Sequence, residues 1–140
     1  MKWRTLVKLA KKEYGLKEIH WAYNNRSKWK GKCDYQNGVI KLNYFMVAGN
    51  EEEKIRSLFH ELGHIHCYQN GLWNGCHNPK FPLNRKDKKT LILTALKAEK
   101  WIDNWAEEEL KKHYPSFKYK KEFSTKEGIK TYRNEILSKY

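Results

Sequence analysis

Apolar residues recur at helical spacing near the start of the chain. Trp3, Leu6, Val7, Leu9 and Ala10 stand among lysines, which predicts an amphipathic helix over residues 2–13 with Gly15 as its stop. Residues 16–23 read as a strand through Ile19, Trp21 and Tyr23, and Asn24-Asn25 turns the chain. From Trp29 the alternation is clean: Trp29, Gly31, Cys33 and Tyr35 lie on one face, Lys30, Lys32 and Asp34 on the other. Asn37-Gly38 is a hairpin signal, and residues 39–43 return as a strand with Ile40 and Leu42 pointing the same way.

Beyond residue 50 the period changes. Ile55, Leu58, Phe59, Leu62 and Ile65 make a helical stripe over 51–66, with Asn50 as cap and Glu51, Glu52 and Glu53 favouring the N-terminal end. Residues 68–87, holding Gly71, Gly75, Pro79 and Pro82, read as a loop. A second helix is expected over 89–113, its stripe made by Ile92, Ala95, Leu96, Ile102, Ala106 and Leu110, before Pro115 ends it. Residues 117–123 read as a short extended edge. Ser124 with Glu127 forms a capping box for a last helix bearing Ile129, Tyr132, Ile136 and Leu137, which Gly128 weakens by about 1 kcal/mol. The sum is an α+β domain with a small sheet.

The 140 residues fit one domain, 1–140, with 111–140 as a basic C-terminal extension carrying nine Lys or Arg against three Glu. Hydrophobic residues at 39% and six Trp supply material for a core and argue against disorder. No apolar run is long enough to cross a membrane and no secretory core is visible, so a cytoplasmic location is expected. The net charge of +13 is spread along the chain, with 13 basic and 7 acidic groups in residues 1–70. Such a field favours nucleic acid or an acidic protein as a partner without choosing between them. Cys33, Cys67 and Cys76 contain no CxxC pair and read as thiols.

The chemistry concentrates in His60-Glu61-Leu62-Gly63-His64, an HExxH motif inside the predicted helix. Residues four apart stand one turn above each other, so two imidazoles can meet on one Zn²⁺ ion while Glu61 addresses water beside it. The histidines border the buried stripe, where unpartnered imidazoles would need hydrogen bonds. An open catalytic site needs a third ligand. Glu99 is the preferred candidate, because it falls between Leu96 and Ile102 on the apolar side of the second helix, where an unpaired carboxylate is costly. Asp103, one turn on, is placed to orient a ligand histidine.

The motif with Ile55–Phe59 before it resembles the active-site helix of zincin metallopeptidases. Glu99-Lys100-Trp101-Ile102-Asp103-Asn104-Trp105-Ala106 resembles the second-helix motif of the ImmA/IrrE-like metallopeptidases, and its Glu and Asp the ExxxD element of gluzincins. That likeness implies a minimal zincin-like domain, a small sheet packed on the HExxH helix and a second ligand-bearing helix. It further implies zinc held by His60, His64 and Glu99, and peptide-bond hydrolysis with Glu61 as general base. Ile102 and Trp105 are bulkier than the residues usual at those places. Lys28–Cys33, Gly38–Asn43 and the same helix also resemble the SprT-like zincins, which act on DNA-bound proteins and use a third histidine; His77 is the matching position. His66 is two residues beyond His64 and faces away.

The expected substrate is an intracellular protein or peptide, added as a strand along residues 39–43. His77, Tyr68, His113 and Tyr114 have the chemistry to donate to an oxyanion. The competing expectation is a basic nucleic-acid-binding module, with Phe117, Tyr119, Phe123 and Tyr132 available for base stacking.

Overall fold

Leu6 and Ala10, one helical turn apart, are fully buried, while Lys8, Lys11 and Lys12 stay exposed. This one-sided burial fixes α1 (Trp3–Glu13) on the core. The computed structural model describes residues 2–71 and 85–139. After α1 come β1 (Glu18–Ala22), β2 (Gly31–Asp34), β3 (Val39–Asn43) and α2 (Tyr44–Val47). Then follow α3 (Glu51–Gln69), α4 (Arg85–His113), a 3-10 turn at Glu122–Ser124 and α5 (Lys126–Lys139). The fold is α+β. Among the described residues no helix is long and apolar enough to cross a membrane.

The three strands make one sheet in the order β1-β3-β2, with β1 parallel and β2 antiparallel to β3. Ile40 and Leu42 are fully buried against the helices, as their alternation requires. Gly38 closes the β2–β3 hairpin at φ 67°, and a side chain there would also meet the Gly15 carbonyl at 2.6 Å. β3 is the central strand. Residues 39–43 are therefore not the free edge expected for substrate: β1 and β2 already take both of their hydrogen-bonding sides. The free edge beside the motif helix is β2.

Asn50 caps α3 as expected, its Oδ1 accepting from the Glu53 amide at 3.2 Å. The helix continues to Gln69, three residues past the expected end, and α4 begins at Arg85 rather than Lys89. The rest of the predicted loop, with Cys76 and His77, lies outside the described residues. Leu58, Phe59, Leu62 and Ile65 from α3 meet Ala106 and Leu110 from α4 in one core with Leu6, Ile40 and Leu42.

Residues 117–123 differ from expectation. Phe117 and Tyr119 turn inward while Lys118 and Lys120 turn outward, as in a strand, but the segment joins no ladder and ends in the 3-10 turn. Side chains attach it instead, as described below. The cap of α5 is also one residue later than expected: Thr125 Oγ1, not Ser124, accepts from the Gly128 amide at 3.0 Å. Gly128 is a requirement there, since a Cβ would overlap the Glu122 carbonyl. Its cost in helix propensity is offset by permitting this tight join.

Gly63 sets how closely α4 approaches α3. A Cβ at Gly63 would stand 2.7 Å from Ile102 Cγ2 and 3.2 Å from Trp105 Cε3. Gly63→Ala gains about 1 kcal/mol of helix propensity. Overpacking against a stiff β-branched side chain costs about 1–3 kcal/mol. The expected result is net destabilisation in denaturant unfolding; a more stable variant would contradict this packing.

Candidate metal centre

Spacing on α3 and the close crossing of α4 bring four side chains together. His60 Nε2 lies 2.7 Å from Glu99 Oε2, and His64 Nε2 lies 3.4 Å from the same oxygen. His60 Nδ1 meets Asp103 Oδ1 at 2.8 Å. His60, Glu61 and Glu99 are each less than a tenth exposed, and Asp103 is buried outright. Carboxylates only accept, so a His60 bonded to two of them donates from both nitrogens. Burial opposes that charged ring, but Glu99 and the bonds to Asp103 and Glu99 push its pKa up to about 10. Burial would likewise raise Glu99; His64 and His60 hold it well below the usual carboxylate range. The cluster thus sets two buried carboxylates, Glu99 and Asp103, against the two motif imidazoles.

Its donor set fits a small divalent cation. His60, Glu61 and His64 bring ligand atoms within 4.8 Å of one another, and Glu99 adds an oxygen to both imidazoles. Tetrahedral zinc with bonds of about 2.0–2.1 Å sets its ligands about 3.4 Å apart; His64 and Glu99 stand at that spacing, while His60 and Glu99, in hydrogen-bond contact at 2.7 Å, would have to part slightly. Two imidazoles and a carboxylate are a ligand set that leaves one position open. With an ion in place of the Nε2 proton, Asp103 on the far nitrogen would hold the remaining proton at Nδ1 and keep Nε2 turned to the cluster.

The segment after α4 braces this arrangement. Tyr119 donates its hydroxyl to Asp103 Oδ1 at 2.7 Å, and the Phe123 amide approaches Asp103 Oδ2 at 3.4 Å. The Phe123 ring stacks on His60 with centroids 5.2 Å apart, and Tyr132 packs edge-on against Phe123 at 5.1 Å. Glu122 is paired with Lys30 and lies 3.4 Å from Arg56 Nη2, while Glu53 contacts Lys30 at 2.9 Å and Arg56 Nε at 3.3 Å. Arg56 is almost fully buried one turn before His60, so its paired carboxylates are what make that burial tolerable.

Glu61 differs from its neighbours. It accepts no hydrogen bond from the described residues, and burial pushes its pKa up although His64 and His60 pull it down. Its side chain lies against β2: a Cβ on Gly31 would be 3.2 Å from Glu61 Cγ and 3.4 Å from Oε1. A cleft of about 600 Å³ opens here, lined by Gly31 and Cys33 on one side and Gly128, Tyr132 and Ile136 on the other. The Asn43 amide donates to Lys30 O at 2.9 Å, which sets the phase of the β2–β3 ladder. By antiparallel alternation, Gly31 and Cys33 then turn their N–H and C=O away from β3, along the free edge.

The structure thus brings His60, Glu61, His64, Glu99 and Asp103 into one site. His66 stacks on Trp105 at 4.9 Å, away from it. Of the suggested oxyanion donors, Tyr68, His113 and Tyr114 do not line the cleft, and His113 Nε2 is engaged by Tyr14 at 2.9 Å. His77 lies outside the described residues. Tyr119, Phe123, Gly31 and Arg56 were not singled out for the site. For Tyr119 and Phe123 the signal was present, since aromatic residues spaced through a lysine-rich stretch also fit a segment pinned by its apolar side chains.

Zinc affinity measured by competition with a chromophoric chelator checks the ligand set. Asp103→Ala is expected to weaken binding by about ten- to hundredfold. Glu99→Gln is expected to weaken it further. Parent-like affinity in Glu99→Gln together with loss in His77→Asn would move the third ligand to the stretch before α4. Comparison with protein-family models, curated proteins and solved structures finds no match in any of the three.

Proposed function

We propose that this chain is a zinc-dependent peptidase with a minimal zincin-like domain, acting on a protein or peptide segment laid along β2. The observation that carries the reading is the meeting of both motif histidines on one Glu99 oxygen, beside a buried Glu61 that opens onto a cleft. In this reading His60, His64 and Glu99 hold the ion and Asp103 orients His60. The Glu99 contact favours the gluzincin-type pattern over the one that uses His77.

When bound, zinc supplies Lewis acidity, which makes water a nucleophile near neutral pH and polarises a carbonyl. Glu61 accepts the proton of the attacking water and delivers it to the leaving amine. A carboxyl group raised by burial suits both halves of that transfer, since it holds a proton more readily than an exposed one. The outward N–H and C=O groups of Gly31 and Cys33 bind an extended backbone and set it across Glu61. Gly31 leaves room there that any side chain would fill.

Of the aromatic residues suited to base stacking, Phe117 is buried and Tyr119 bonds Asp103, while Phe123 stacks on His60 with Tyr132 edge-on against it in the cleft lining.

Glu61→Gln is expected to retain zinc and to lose turnover of a quenched-fluorescent peptide library by about 10²–10⁴-fold. Zinc content by mass spectrometry and initial rates on the same preparation check it. Equal rates in variant and parent would remove Glu61 from the reaction.

A further inference from the structure

The outer face of the sheet carries a row of basic residues in register: His20 beside Lys41, and Lys41 beside Lys32. All three are exposed. Like charges directly opposite on paired strands destabilise the pair, so Lys32 against Lys41 is a cost to the fold. The protein does not neutralise it. Among the described residues neither lysine forms an ion pair with a carboxylate, and Lys32 Nζ instead sits over the Trp29 ring at 4.5 Å. The acids that share this face are engaged locally. Glu18 pairs with His20 at 2.8 Å, and Asp34 takes the Asn37 side-chain amide at 2.8 Å. Lys28, at the same end of the cleft wall, is also exposed and makes no ion pair with a described residue.

Lys32 stands on the free edge of β2, with Lys41 behind it on the central strand. Lys28 and Lys32 both line the cleft, and the outward backbone groups of Gly31 and Cys33 lie between and beyond them. The opposite wall, on α5, presents Glu127 and Glu135. A strand added to β2 places alternate side chains on the outer face, next to Lys32. There an acidic side chain relieves the Lys32–Lys41 repulsion, while Glu127 repels it from the far wall.

We infer that the segment taken by this cleft is acidic, with Asp or Glu side chains docking on Lys28, Lys32 and Lys41. The inference rests on the peptidase reading for the placement of the substrate, and it adds the substrate's charge. A peptide fits these observations better than a nucleic-acid strand, because the edge it meets offers alternating amide donors and carbonyl acceptors.

Fluorescence anisotropy on the zinc-loaded Glu61→Gln protein separates binding from turnover. The probes are an alternating Ala-Glu peptide, its Ala-Gln and Ala-Lys counterparts, and a thymidine oligonucleotide. The Ala-Glu peptide is expected to bind about tenfold more tightly than Ala-Gln at low salt, and to lose that advantage as salt rises. Adding Lys28→Glu, Lys32→Glu and Lys41→Glu should abolish the preference. Lys8→Glu, Lys11→Glu and Lys12→Glu, on the exposed face of α1, change the net charge equally and should largely preserve it. The neutral set Lys28→Gln, Lys32→Gln and Lys41→Gln repeats the test without charge reversal. Equal binding of the peptides, loss of preference in both charge-reversal sets, or oligonucleotide binding that outcompetes the peptide through the same lysines would each overturn the inference. Failure of the parent protein to cleave any peptide bears instead on the peptidase reading, because the preference is read without turnover.

Discussion

His60 is gripped from both sides. One ring nitrogen faces Glu99 and the other faces Asp103, with Phe123 stacked on the ring. Neither carboxylate is tolerable alone at this depth, since removing one partner of a buried pair costs about 3–5 kcal/mol. The histidine and the two acids therefore define one another's positions. α4 must cross α3 where Glu99 and Asp103 reach the motif, and Gly63 is the residue that lets it come close enough. The proposed zinc ion would meet the same demand for compensating charge.

A second layer of ion pairs holds the segment after α4. Glu122 reaches both Lys30, from the stretch leading into β2, and Arg56, from α3. These pairs sit one residue before Phe123 and one turn before His60. The C-terminal stretch is thereby tied to the strand edge and to the motif helix at once. Asn43 does comparable work on the other side, its amide nitrogen donating to the carbonyls of Asn24 and Trp29 at 3.0 and 3.1 Å. That buried side chain shapes the arch carrying Lys28 and Trp29 to the cleft wall. One face of the cleft is thus formed by β2 and this arch, the other by α5.

The motif, its helix and the partner acids were legible in the sequence because each rests on local spacing. HExxH places two imidazoles one turn apart in any helix, and Glu99 and Asp103 share a side of α4 for the same reason. The free edge was misassigned because hairpin chemistry fixes β2 against β3 but is silent about where β1 joins. Register with β1 is a long-range pairing, and it buries the strand that alternation alone left open. The aromatic residues after Pro115 leave base stacking and core packing both open in the sequence for a related reason. Their spacing shows that they share a face, while only the position of Asp103 and His60 tells which way that face turns.

The sequence by itself determined the helical display of His60, Glu61 and His64, the capping of α3 by Asn50, and the apolar stripe that sinks Glu99 beside Ile102. Those features follow from backbone periodicity and hydrogen bonding within a few residues. Only the tertiary structure decided that β3 lies between its neighbours, that Gly31 makes room beside Glu61, and that Glu122 and Phe123 lock onto α3. Each of these depends on which distant surfaces bury one another's charge and apolar area, and no short stretch of chain contains that information.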